Sequence, residues 1–215
     1  MKILFQTMLS LLLLISLSSY AQTSSDKFKS GMLKGLDQLQ KANQPDDFLQ
    51  AANYFERVAQ AESKQWLPTY YAAYANLMTG LMGADKKVQD QYYDKALQQI
   101  LQADALAANN SEILALKGYI QFMKMSIDPQ ARLSYMAQSA ASLGKAKALN
   151  PDNPRIYLIN GQNTFYTPEA FGGGKVKAKP ILENAVAKFA IFKASTGLDP
   201  VWGAERAKTL LAQCK

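Results

Sequence analysis

The side chains that usually carry enzyme chemistry are scarce in this chain. It has no histidine and one cysteine, Cys214, beside the C-terminus. That removes the commonest general base and zinc ligand. A lone thiol can form neither an internal disulfide nor a multi-cysteine metal site. Carboxylates neighbour one another at Asp46–Asp47 and at Asp85 with Asp90, in turns or at helix starts where capping is their ordinary use. The serine–lysine neighbours Ser63–Lys64 and Ser142 with Lys145 lack any context that would activate a nucleophile. No catalytic residue, metal or cofactor is expected, and the chain does not read as an enzyme.

Gly172-Gly173-Gly174-Lys175 is the one stretch that could cradle an anion, because glycine-rich backbone amides opening a helix point at negative charge. The phosphate-loop pattern also requires a serine or threonine after the lysine and a glycine five residues before Gly174. Val176 and Glu169 stand there instead, so a turn reversing the chain is the expectation.

The elements that position these residues follow from periodicity. Nine helices are expected: about Asp26 to Ala42, Asp46 or Asp47 to Glu62, Leu67 or Pro68 to Gly80, Asp90 to Ala107, and Ser111 to Ser126. The sixth starts at Asp128-Pro129 and ends at Leu149. The seventh runs from Pro154 to about Tyr166, the eighth has Pro180 in its first turn, and the ninth starts at Asp199-Pro200. Sustained period-two alternation is absent, so the fold class is all-α. The ninth helix carries Trp202, Gly203, Ala207, Leu210 and Leu211, with Trp202 expected in the core.

An internal repeat organises the helices. The triads Ala51-Phe55-Val58, Ala96-Ile100-Ala103 and Ser139-Leu143-Ala146 share one spacing. Each is followed, 22 residues after its first member, by a small residue: Ala73, Gly118 and Gly161. A fourth triad, Ala178-Leu182-Ala185, has no such successor. Together with the turn Asn150-Pro151-Asp152-Asn153-Pro154, Tyr157 and Trp66, this pattern resembles the tetratricopeptide repeat over roughly residues 26 to 213. The spacings of 45 and 43 between successive small residues exceed the family's usual repeat. The resemblance implies a right-handed α-solenoid of about four helix hairpins plus a C-terminal capping helix, since stacked hairpins bury their apolar faces only against neighbours.

The family's ligand contacts come mainly from the concave side of each hairpin's first helix. Aligning those helices on Ala73, Gly118 and Gly161 gives Tyr74, Tyr119 and Gln162 directly after the small residue. Leu77, Phe122 and Phe165 stand four after it, Tyr70, Ala115 and Leu158 three before, and Leu67, Glu112 and Arg155 six before. The resemblance therefore nominates Tyr70, Tyr74, Leu77, Glu112, Tyr119, Phe122, Arg155, Gln162 and Phe165 as an aromatic groove with a Glu112/Arg155 edge, suited to a protein or peptide partner. The competing reading packs the same stripes between helices.

Residues 1–21 read as a cleavable secretory signal, with Lys2, the apolar run Leu9 to Leu17 and small residues at Ser19 and Ala21. The apolar core is shorter than the roughly 20 residues of a membrane span, and no cysteine follows it to accept a lipid. The expectation is a periplasmic or secreted product, a single repeat domain over 22–215, with no stable membrane insertion after cleavage. The formal charge of +7 comes from scattered lysines with only four arginines, a distribution unlike a nucleic-acid footprint. The leading expectation is an exported scaffold for a polypeptide in a cell-envelope complex. The alternative is a periplasmic small-molecule or lipid carrier associated with a transporter, because the glycine turn also looks like one in periplasmic tetratricopeptide proteins that serve solute transporters. An enclosed cavity would favour the carrier. Nothing in the sequence fixes an oligomeric state.

Overall fold

The structure, a computed structural model, describes residues 26–214. The expected signal segment lies outside the described residues. Those described form nine α-helices and no strand, as the periodicity requires. In chain order they are α1 (26–41), α2 (Pro45–Ala61), α3 (Trp66–Leu81), α4 (Lys86–Leu106), α5 (Ser111–Ile127), α6 (Ser134–Leu149), α7 (Pro154–Tyr166), α8 (Lys175–Ile191) and α9 (Ala204–Ala212). A 3-10 turn, Glu169–Phe171, precedes α8. Among the described residues no helix is long and apolar enough to cross a membrane.

The repeat triads are the helix seams. Ala96, Ile100 and Ala103 are fully buried, as are Ala178, Leu182 and Ala185, and Ser139, Leu143 and Ala146 are buried with them. The small residue of one helix receives the bulky residue of the next. A Cβ on Gly118 would stand 2.9 Å from Leu143 Cγ, and one on Gly161 would stand 2.7 Å from Leu182 Cδ2. Glycine at these two places lets α5 approach α6, and α7 approach α8, closely enough to leave no void. Ser139 takes the triad's small position and donates to the Gly118 carbonyl at 2.7 Å, so its hydroxyl is satisfied inside the seam. Each of α2 to α8 packs on the next in sequence, and α5 also touches both α3 and α7.

Four helix starts differ from expectation. Asp85, not Asp90, opens α4: its side chain accepts from the Val88 amide at 2.9 Å, while Asp90 joins an ion-pair cluster. The Asp128-Pro129 stretch is an isolated turn, with Arg132 N–H donating to the Asp128 carbonyl and Ala131 N–H to its carboxylate. Arg132 is there pulled toward Asp90, to which its two terminal nitrogens donate at 2.6 and 2.7 Å, and α6 begins only at Ser134. Helix α8 starts at Lys175, so Pro180 lies inside it. The ring costs the helix one bond, to the Val176 carbonyl, on an exposed face that water can serve. The last helix is delayed to Ala204 because Gly203 sits at φ 113°, outside the helical region.

The residues before it, 192–203, form an irregular segment tied down by side chains. Tyr71 Oη donates to the Leu198 carbonyl at 2.7 Å, and the Arg155 guanidinium donates to the Pro200 carbonyl. Those carbonyls are thereby unavailable to helical amides. Trp202 is delivered by this segment and not by a helix.

Candidate functional site

Helices α3, α5 and α7 present one face each to a shared space that the 192–203 segment and α9 close on a further side. The result is a cavity of about 580 Å³, within the roughly 300–1,000 Å³ typical of small-molecule sites. Helix α3 contributes Tyr74, Met78 and Leu81; α5 contributes Tyr119, Phe122, Met123 and Ser126; α7 contributes Leu158, Ile159, Gln162 and Tyr166. Trp202, Gly203 and Arg206 complete the wall. Arg206 is the only charged residue in that lining among the described residues.

The wall combines two kinds of chemistry. The rings of Tyr74 and Trp202 stack at 4.8 Å between centroids and 21° between planes, and Met78 and Met123 add thioethers to the lining. Arg206 Nε donates to Gln162 Oε1 at 3.0 Å and its terminal nitrogen to the Tyr166 hydroxyl at 2.8 Å. Gln162 also hydrogen-bonds the Tyr119 side chain. Burial pushes the hydroxyls of Tyr74 and Tyr119 above the usual phenol range, because the phenolate would lose its hydration. Both stay protonated donors at any physiological pH.

Of the nine residues nominated from the sequence, the structure brings Tyr74, Tyr119, Phe122 and Gln162 to the cavity. The other five lie elsewhere. Tyr70 and Leu77 are fully buried. Tyr70 accepts a hydrogen bond from Trp202 Nε1 at 3.0 Å, so the indole lies between it and the cavity. Phe165 packs against the α8–α9 cluster and sits under Lys175.

Glu112 and Arg155 are an interior pair, not a groove edge: Arg155 is fully buried and donates to Glu112 Oε1 at 2.9 Å. The Arg155 guanidinium also lies 4.8 Å from the Phe192 ring centre and 5.3 Å from that of Trp202, a cation–π arrangement. Their work is to hold the 192–203 segment, and with it Trp202, in place. Burial raises the Glu112 carboxyl above its usual range, with Arg155 opposing.

Sequence reasoning missed Met78, Met123 and Tyr166, which stand five after Ala73, Gly118 and Gly161, and Leu81 and Ser126, eight after the first two. Offsets of one, five and eight trace a single helix face. Of the chosen offsets, one lies on that face and four leans to its edge. Trp202, expected in the core, packs half-buried against it and also lines the cavity, and Arg206, exposed on α9, reaches the same lining; no repeat extends to either.

The glycine turn holds no anion cradle. The amides of Gly172, Gly173 and Gly174 donate to the carbonyls of Glu169, Pro168 and Thr164. Gly172 and Gly174 adopt φ 85° and 98°, and this is the chain reversal expected of them.

No family model and no curated relative matches the chain. Among solved structures it is similar to the HusA haemophore from Porphyromonas gingivalis, at 31% sequence identity and a TM-score of 0.77, over 87% of this chain and 92% of that one. At that identity and coverage, the chain belongs to the family of the HusA haemophore.

Proposed function

We propose that this protein is an exported carrier of haem or a related planar tetrapyrrole, held in the cavity between α3, α5, α7 and the 192–203 segment. A haemophore is a haem carrier, and the observation that carries the reading to this chain is the wall itself. Tyr74, Tyr119, Phe122, Tyr166 and Trp202 put five aromatic side chains around one space of about 580 Å³. Aromatic contacts add about 0.5–1.5 kcal/mol each beyond the area they bury. Cavity and relative together support the small-molecule carrier, the second expectation from the sequence, over a polypeptide groove.

Proteins hold haem iron through His, Cys, Met or Tyr. This chain has no histidine, and its cysteine lies in the separate α8–α9 cluster. The wall offers the ligand its aromatic ring faces, the hydroxyls of Tyr74, Tyr119 and Tyr166, and the thioethers of Met78 and Met123. In this reading the hairpins α1/α2 to α7/α8 form an α-solenoid with α9 as its cap, and the solenoid's inner row is the ligand wall.

The test is titration of haemin into the purified chain, following the Soret band and tryptophan fluorescence. Saturable 1:1 binding is expected, weakened about tenfold by Tyr74→Ala or Phe122→Ala, which corresponds to about 1.4 kcal/mol for each lost ring. Absence of saturable binding, or binding that neither substitution alters, would refute the assignment of this cavity.

A further inference from the structure

We propose that Arg206 anchors a carboxylate of the ligand, so that the cavity selects planar macrocycles with acidic side chains over their neutral esters. The inference rests on the carrier reading above and adds what that reading leaves open, the polar part of the ligand. Three observations carry it.

The first is isolation of charge. Arg206 is the one charged side chain among the described cavity-lining residues, so it alone gives the site a sign. The second is the lack of an internal counter-ion. Its hydrogen-bond partners among the described residues are neutral, Gln162 Oε1 and the Tyr166 hydroxyl. The adjacent acid, Glu205, is taken by Lys208 at 2.8 Å. An arginine has five N–H donors, and the two bonds engage only Nε and one terminal nitrogen.

The third is preorganisation. Those bonds and the Tyr166 ring, 6.0 Å from the guanidinium carbon, hold a long flexible side chain at the cavity wall before any ligand arrives. A positioned guanidinium matches a carboxylate with two parallel hydrogen bonds. Preorganisation also lowers the entropic cost of making them. With Met78, Met123 and the Tyr74–Trp202 stack in the same lining, the site combines apolar surface with one cation. A ligand with a flat apolar body and a peripheral acid meets both.

The experiment compares protoporphyrin IX with its dimethyl ester, titrated into the full chain under one solvent condition. The wild-type protein is expected to bind the diacid about tenfold more tightly than the ester. Arg206→Gln should bring the diacid down to the ester's affinity and leave the ester unchanged, with Arg206→Lys intermediate. Circular dichroism confirms that each variant keeps its helices. Equal affinity of acid and ester in the wild type overturns the proposal while leaving the carrier reading intact, as does an Arg206→Gln variant that weakens both equally. Failure of both porphyrins to bind would remove the carrier reading and this inference together.

Discussion

Replacing Arg155 with methionine is the sharpest probe of how the cavity is closed. The change keeps most of the aliphatic stem and deletes the guanidinium. Lost with it are the 2.9 Å bond to Glu112, the bond to the Pro200 carbonyl and the cation contacts with Phe192 and Trp202. Because Arg155 is fully buried, removing it strands an interior partner, which costs about 3–5 kcal/mol. Within that figure, an orphaned Pro200 carbonyl accounts for about 1–3 kcal/mol.

The pH dependence of that variant has a definite sign. The Glu112 carboxyl is already raised by burial, and losing Arg155 removes the cation that opposes the rise. A carboxyl raised in the folded state holds its proton where the unfolded chain has released it. Stability from this group therefore increases as pH falls through the folded value, and declines as pH rises. The assay is urea unfolding by circular dichroism at pH 7 and pH 5 for wild type, Arg155→Met, Glu112→Gln and the double variant. The expected results are a loss of about 3–5 kcal/mol at pH 7, a smaller deficit at pH 5, and a double variant more stable than Arg155→Met alone. A deficit below about 1 kcal/mol, unchanged with pH, would match an exposed ion pair and refute the claim that this pair holds the 192–203 segment.

Asp90 gives a prediction of opposite sign. Hydrogen bonds from Arg132, and then Lys124, hold its carboxyl down at about 2, and Lys124 Nζ lies 2.5 Å away. Asp90→Asn should cost about 1–2 kcal/mol at pH 7, after screening at a partly exposed site is allowed for. A depressed carboxyl stabilises above its unfolded value and loses that contribution as pH falls, so urea midpoints of wild type and variant should converge between pH 4 and pH 2. The glycines supply a matched pair. A Cβ on Gly173 would lie 2.1 Å from the Thr167 carbonyl oxygen, whereas one on Gly144 meets nothing within 4 Å. Thermal unfolding should show Gly173→Ala destabilised by about 1–3 kcal/mol or more, and Gly144→Ala, inside α6, stabilised by about 0.5–1 kcal/mol.

What was legible beforehand was whatever repeats. The buried triads and the close approaches at Gly118 and Gly161 follow from spacing alone, because a recurring small residue on a helix marks a recurring contact. The column Tyr74, Tyr119 and Gln162 reached the cavity for the same reason. The column four after the small residue split instead. Phe122 lines the wall, Leu77 points into the interior, and Phe165 falls one residue from the end of α7, which has 13 residues against 17 in α5. Helices of unequal length do not carry equivalent positions to equivalent places. Glu112 and Arg155 look like groove polar residues in a sequence because an interior ion pair has the same composition as an exposed one. What separates them is Trp202, Phe192 and Pro200, nearly 40 or more residues further along the chain.

That distance also explains why an enclosed cavity was only the second expectation from the sequence. Three helices in a row make a trough, and a trough favours an extended chain as its occupant. It becomes a pocket only when something outside the repeat covers it. Here the cover is 192–203, with Tyr71 on α3 and Arg155 on α7 each holding one of its carbonyls, and with Tyr70 on α3 accepting from the indole it carries. Trp202 and Arg206, the two residues that give the site its stacking surface and its charge, both come from this cover or the helix it opens. The repeats thus set the width and apolar character of the site, while the closing segment sets its chemistry. A chain with the same helices and a different segment after α8 would keep the fold and change the chemistry of the cavity.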